Sequence, residues 1–217
     1  MNSLDVQKEY WNRVARSKTF SHPLHLERFA PDLSRSAAIL DYGCGYGRTC
    51  EELLEQGYEN VLGVDVSEAM IRRGKDRNPR LRLQTLRGKR LPFEEGSFDL
   101  CLLFALLTCV PTDEGQRHVV RELWRILKEG GILYLSDYPL QDNDRNRKRY
   151  EAYAEEFGVY GVFRLSDGGV MRHHNLSWFE ELLENFSPIH REILEVNTMN
   201  GNKASILQMG VRKIRKI

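Results

Sequence analysis

Apolar and polar positions along the chain switch between a helical and an extended period, and the switches predict an ordered series of elements. Residues 3–16 and 21–30 hold apolar positions at helical spacing and predict two N-terminal helices. "AAIL" running into Asp41 predicts a buried strand, "GRTCEELLEQG" a helix stopped by Gly57, and "NVLGVD" a second strand. Ser67 is an N-cap for the helix "SEAMIRRGKD", and "LRLQTL" alternates as a third strand. The near-continuous apolar run of "SFDLCLLFALL" predicts a fourth strand covered on both faces. "DEGQRHVVRELWRILKEGG" is amphipathic and predicts a long helix ending at Gly130 and Gly131, before the strand "ILYLSD". Five strands alternating with helices predict a doubly wound, mostly parallel α/β sheet with helices on both faces.

The pattern changes after Asp137. A polar helix over "DNDRNRKRYEAYAEEFG", two short strands around Asp167-Gly168-Gly169 and a helix over "SWFEELLENF" predict an insertion that forms a lid. Two extended runs flank Asn200-Gly201, a strong hairpin signal, so the sheet should end in an antiparallel pair. The expected organisation is one domain: a helical N-terminal cap over 1–36, a ligand-binding core over 37–137, a substrate or lid insertion over 138–188 and a C-terminal hairpin over 189–217.

Composition narrows the class. Of the 217 residues, 41% are hydrophobic and 29% charged, which suits a soluble globular chain that buries a core. No apolar run is long enough for a membrane span, and the polar N-terminus lacks the apolar stretch of a signal peptide, so the expected location is cytoplasmic. The net charge of +1 gives no global field for nucleic acid or membrane. Arg72 to Arg90 is locally basic, as a solvated helix end and loop or as an anion patch; it lacks the interleaved aromatics of a base-stacking surface. The four cysteines, Cys44, Cys50, Cys101 and Cys109, form no Cys-x-x-Cys pair and cluster with no histidine, so no metal site or disulfide framework is expected.

The candidate chemistry sits at "ILDYGCGYGRTCEELLEQGYENVLGVDVSEAM". Ligands of open α/β sheets bind beyond the carboxyl ends of the strands, where Asp41 to Gly47 falls. Glycine lets the backbone turn sharply and approach a ligand closely. Gly43 and Gly45 fill the first two places of the dinucleotide pattern G-x-G-x-x-G, but the third place holds Arg48. An acidic residue, Asp41, precedes the turn, and Asp65 ends the second strand about 20 residues beyond Gly45, where a ribose-binding carboxylate belongs. The arrangement fits a nucleoside with a polar, partly cationic end better than a pyrophosphate.

"LDYGCGYGRT" resembles the glycine-rich motif of class I S-adenosylmethionine-dependent methyltransferases of the small-molecule (type 11-like) kind. "GVDVSEAM", "LPFEEGSFDL" and "RELWRILKEGGILYLSD" resemble their later motifs, in the same order from Ile39 to Asp137, with Glu129 in place of the usual proline. The resemblance implies a Rossmann-like fold, S-adenosylmethionine as cofactor and methyl transfer to a small-molecule acceptor. It places Asp41 near the methionine amino group, with Gly43 and Gly45 letting the backbone approach, sets Asp65 on the ribose hydroxyls, and includes Cys44, Val66 and Met70 among the cofactor-binding residues. A helix-capping role is the other reading of Asp65. Adenine would meet Arg87, which stacks on it or turns outward and leaves the backbone of Gly88 to pair. Phe104 would stand beside the reacting end. Tyr10 is either a cover over the cofactor or core, and Trp11 fits core better.

Methyl transfer from a sulfonium asks mainly for alignment and exclusion of water, so a general base is optional. Its candidates are Asp137, at the carboxyl edge of the fifth strand, and His173 and His174, which strand alternation sends to opposite faces. Structural roles are the competing reading for all three. Arg145, Arg147, Lys148 and Arg149 either grip an anionic group or form a solvated helix face. Two other functions stay open: a partner or regulatory subunit that binds the nucleoside without turnover, and an NAD(P)-dependent oxidoreductase.

Overall fold

The structure, a computed structural model, describes residues 7–88 and 90–214. Seven strands form one sheet in the order β3-β2-β1-β4-β5-β9-β8. Strands β1 (Ile39–Tyr42), β2 (Val61–Asp65), β3 (Leu83–Thr85), β4 (Phe98–Phe104) and β5 (Leu127–Asp137) run parallel. Strand β8 (Phe186–Asn197) and β9 (Lys203–Lys213) form the expected hairpin, with β9 antiparallel to β5. Helices α1 (Lys8–Val14) and α2 (Leu26–Phe29) precede β1. Helices α3 (Arg48–Glu55), α4 (Glu68–Arg77) and α5 (Asp113–Ile126) link the parallel strands. Helix α6 (Asp144–Phe157), a separate two-stranded sheet of β6 (Val162–Arg164) and β7 (Val170–Arg172), and α7 (Leu176–Leu182) form the insertion. Among the described residues, no helix is long and apolar enough to cross a membrane.

Strand alternation builds the two halves of the core. Cys101, Leu103, Leu133 and Leu135 face one side and pack with Val119 and Leu123 of α5 and Phe179 of α7. Leu100, Leu102, Ile132 and Tyr134 face the other and pack with Phe29 of α2 and Leu53 of α3. This double burial is why the strand sequences are apolar at consecutive positions. Strand β9, inside the sheet, is mostly buried, whereas β8 at the edge alternates with charged, exposed residues that discourage further pairing.

Several boundaries differ from the sequence expectation; the helix expected over "SWFEELLENF" ends at Leu182, and Phe186 already belongs to β8. The first predicted helix begins at residue 3, and residues 3–6 lie outside the described residues; helix is observed from Lys8 to Val14. The second shrinks from 21–30 to Leu26–Phe29, because Pro23 holds the residue before it out of the helical region. Helix α5 stops at Ile126 instead of Gly130, because Leu127 turns to extended geometry and pairs with Phe98 at the foot of the sheet.

Candidate functional site

The turn after β1 is held on the sheet by backbone bonds: the N–H groups of Gly43 and Cys44 donate to the Val64 carbonyl at 2.8 and 3.1 Å. Gly43, Gly45 and Gly47 all have positive φ, at 80°, 55° and 79°. A Cβ at Gly45 would stand 2.5 Å from Cε2 of Phe20, and one at Gly43 2.8 Å from Cδ1 of Leu106. The turn is therefore a cradle roofed by the N-terminal segment and by the loop after β4. Gly45→Ala must adopt a left-handed backbone and displace Phe20. The left-handed geometry alone costs about 1–2 kcal/mol, to be read from urea unfolding midpoints.

Asp65 stands at the end of β2 beside this cradle. One carboxylate oxygen accepts from the Gly45 N–H at 2.9 Å and the other from the Ser67 N–H at 2.8 Å. The Val66 N–H also approaches the carboxylate, and the side chain lines the cavity that opens here. Desolvation raises its pKa, against the pull of these N–H donors. Ser67 caps α4 by accepting from the Met70 N–H at 3.2 Å. Capping thus belongs to Ser67, and Asp65 ties the glycine turn to the start of the next helix. Asp41 also lines the cavity and accepts from the Cys50 thiol at 3.4 Å. Burial pushes its pKa up to about 6, against the Thr49 and Cys50 donors.

The cavity continues from the glycine turn along the carboxyl ends of β4 and β5 to the insertion. Phe104, Tyr138, Phe163, Met171 and His173 form its far wall. Next to Phe104, Ala105 has φ 50°, a left-handed backbone that an alanine rarely adopts, held by its N–H bond to the Ser136 carbonyl at 2.7 Å.

The roof is stitched from three distant segments. The Gln7 side chain pairs with both the N–H and the C=O of Val170, each at 2.7 Å, completing the edge of β7. The Tyr10 hydroxyl donates to Asp167 at 3.1 Å, and Lys18 pairs with Asp167 at 2.7 Å and donates to the Asn200 side chain at 2.8 Å. Cap, β6–β7 turn and β8–β9 turn thereby close over one space.

The sequence candidates divide accordingly. Asp41, Gly43, Cys44, Gly45, Asp65, Val66, Met70, Phe104 and His173 line this cavity. Tyr10 does not: its ring packs under Gly169, where a Cβ would meet it at 2.5 Å, and its hydroxyl serves the roof. Trp11 packs against Tyr10 and Phe20, as its core reading expects, and also lines the cavity. Arg87 and Gly88 are exposed and lie outside the lining, so Arg87 takes the outward of its two readings.

Asp137 is fully enclosed, accepts from the N–H groups of Thr108 and Tyr138 at 3.2 and 2.8 Å, and clamps the loops after β4 and β5. Burial pushes it up to about 7. His174 is likewise enclosed, between the Tyr138 carbonyl at 3.0 Å and the Gln116 amide at 2.8 Å. Of the two adjacent histidines, His173 lines the cavity and His174 does not.

Phe20, His22, Arg48 and Tyr138 line the cavity without having been singled out. His22 is buried, its Nδ1 lies 2.9 Å from the Ser136 hydroxyl and its Nε2 has no partner. Burial and then Arg48 lower its pKa to about 3, so the ring is neutral. No local pattern marks His22; tertiary packing brings "FSHP" over the glycine turn.

A mostly parallel sheet with this strand order, a glycine cradle at its switch point and a cavity-lining carboxylate at the end of the second strand are the features of a nucleoside-binding α/β domain. A family model described as a methyltransferase domain matches residues 40–135. An S-adenosylmethionine-dependent methyltransferase from Methanosarcina mazei is similar over 91% of this chain and 100% of its own, with a TM-score of 0.82 at 25% identity. Human methyltransferase-like protein 27 is 30% identical over 142 residues, 64% of this chain and 56% of its own. The 27-O-demethylrifamycin SV methyltransferase of Amycolatopsis mediterranei is 30% identical over 108 residues, 47% of this chain and 39% of its own. The chain spans about half the length, or less, of the curated relatives it matches. The methyltransferase-domain match and the similarity to the Methanosarcina mazei structure support a class I S-adenosylmethionine-dependent methyltransferase family, with S-adenosylmethionine as its cofactor. The cradle and Asp65 fit that cofactor: a Cβ-free turn for the close approach of its tail, and two oriented carboxylate oxygens for vicinal ribose hydroxyls.

Proposed function

We propose that this chain transfers a methyl group to a small organic molecule held under the roof, with the cofactor on the glycine cradle. The observation that carries this reading is the continuity of one cavity from Gly43, Gly45 and Asp65 at one end to Tyr138, Phe163 and His173 at the other. S-adenosylmethionine, when bound, supplies a methyl group already activated on a sulfonium. Asp65 binds the ribose hydroxyls, and Asp41 offers acceptor oxygens near the amino end of the tail. Phe104 and Trp11 contribute apolar and aromatic surface between the two ends. The Gln7, Tyr10 and Lys18 contacts hold the roof shut, so the chain's main work is to orient two molecules and exclude water.

Two acceptor classes appear in the names of relatives: small molecules, as in the demethylrifamycin and demethylmenaquinone enzymes, and protein, as in the enzymes named for eEF1A lysine. The roofed cavity favours the first, since a lysine on a folded protein needs an open approach. Calorimetric titration with S-adenosylmethionine, S-adenosylhomocysteine and NAD tests the cofactor. Binding of the first two without NAD is expected. NAD binding alone would overturn the reading, and binding of none would favour a partner or regulatory role.

A further inference from the structure

The basic run of α6 separates by face. Arg147 is engaged by Asp142 and by Asp144, the latter at 2.7 Å. Arg145 and Arg149, four residues apart and so on one face, line the cavity, and neither has a carboxylate partner among the described residues. The Arg149 guanidinium stacks on Phe163, its Cζ 3.5 Å from the ring centroid, and its Nε is buried without a hydrogen-bond partner. Stacking occupies the flat face of a guanidinium and leaves its N–H edge for a planar or tetrahedral anion. Burial lowers the pKa of Arg149, as befits a cation set apart from water without a counter-charge.

His173 stands beside them. Its Nδ1 lies 2.6 Å from the Tyr150 hydroxyl, which accepts from the Gln141 N–H at 3.2 Å. The other polar neighbour of that hydroxyl is Arg149, again a donor. The hydroxyl proton therefore points to His173 Nδ1, and the imidazole carries its own proton on Nε2. Burial and the two arginines keep the ring neutral. Tyr138 stacks on it at 5.1 Å and fixes its plane. His173 thus offers an N–H to the cavity and is a donor, which replaces the expectation that it serves as a general base.

We infer that the methyl acceptor carries an anionic group, a carboxylate or a phosphate, bound by Arg149, Arg145 and the Nε2–H of His173. Calling this ligand the acceptor rests on the methyltransferase reading; the anion pocket itself does not. Tyr150 is a positioning residue that sets the tautomer of His173.

The test titrates the protein, saturated with S-adenosylhomocysteine, with matched probes: benzoate against benzamide, and phenyl phosphate against phenol. Aromatic probes suit the Phe163 and Tyr138 walls, and Trp11 supplies a fluorescence signal. The charged member of at least one pair should bind about tenfold or more tightly than its neutral twin, and more weakly as salt is added. The preferred pair tells carboxylate from phosphate. Arg149→Met should remove that preference, and Arg149→Lys should restore only part of it, with S-adenosylhomocysteine affinity unchanged in both.

Nitrogen-15 imidazole spectra should show His173 protonated on Nε2 throughout, and Tyr150→Phe should mix the tautomers and weaken the charged probe several-fold. Equal binding of charged and neutral probes, no binding of either, or an unaltered Arg149→Met would overturn the inference, and an Nδ1–H signal would remove His173 from it. If charged probes bind through Arg149 while S-adenosylhomocysteine does not bind, the methyltransferase reading falls and the anion pocket stands.

Discussion

Asp65→Ala is expected to weaken binding of S-adenosylmethionine and S-adenosylhomocysteine by at least about tenfold, and by several hundredfold if both ribose contacts are lost. Hydrogen bonds to a charged group are worth about 1.5–3 kcal/mol each, and about 1.4 kcal/mol is a factor of ten in affinity. The substitution has a second cost. Asp65 holds the Gly45 and Ser67 N–H groups at 2.9 and 2.8 Å, so its loss also frees the glycine turn from the head of α4. Asp65→Asn separates the two effects. It keeps the shape but turns one oxygen into a donor, which faces either a backbone N–H or a ribose hydroxyl, so an intermediate loss is expected. Calorimetry decides: unchanged affinity in the alanine variant would take Asp65 out of the cofactor site.

His174→Ala is expected to act on stability, by about 2–4 kcal/mol near neutral pH, because it empties an enclosed space and leaves buried polar groups at Tyr138 and Gln116 with fewer partners. Its pH dependence carries the sharper signature. Burial lowers the folded pKa of His174 from 6.5 to about 3, with Arg172 adding to the shift. Below 6.5 the unfolded chain takes up a proton that the folded one refuses, so this histidine costs the wild type stability as pH falls from 6.5 towards 3. Alanine has no such proton. The deficit of the variant should therefore shrink by about 2 kcal/mol between pH 7 and pH 5, in urea titrations of both proteins. Asp41 and Asp137, pushed up to about 6 and 7, run the other way: their folded forms bind protons first, so their contribution grows as pH falls. Asp41 is common to both proteins and cancels; Asp137 lies 4.0 Å from the His174 Nδ1, so the comparison is repeated with Asp137→Asn in both backgrounds to remove its titration. A deficit that stayed constant with pH would show that His174 is not held neutral.

Local chemistry explains which parts of the site were legible. The cradle and Asp65 lie on one β-α-β stretch, where glycines at fixed offsets and a carboxylate at a strand end state a ligand's geometry within about thirty residues. The hairpin at Asn200-Gly201 was equally readable, because a tight turn between extended runs calls for a residue that takes a left-handed backbone, and Gly201 has φ 75°. Arg87 stayed open for the opposite reason: its offset from Leu91-Pro92-Phe93 fixes its place in sequence but not its direction, and the loop leaves it exposed. The sequence left Tyr10 open between cover and core, because adjacent helical residues point about 100° apart and no pattern within α1 says which direction faces the cavity; Trp11 lines it and Tyr10 does not.

By itself the sequence determined the alternation of strands and helices, the covering of the sheet on both faces, the glycine turn after β1 and the closing hairpin, since each follows from periodicity or turn chemistry within a short stretch. Only the tertiary structure decided what surrounds the reacting space. It brought Phe20 and His22 over the glycine turn, clamped Asp137 and His174 away from the cavity, and set Arg149 against Phe163 and Tyr150 against His173. Those neighbours are far apart along the chain. A side chain's partner, tautomer and exposure depend on contacts that exist only once the sheet has closed, and no local pattern encodes them.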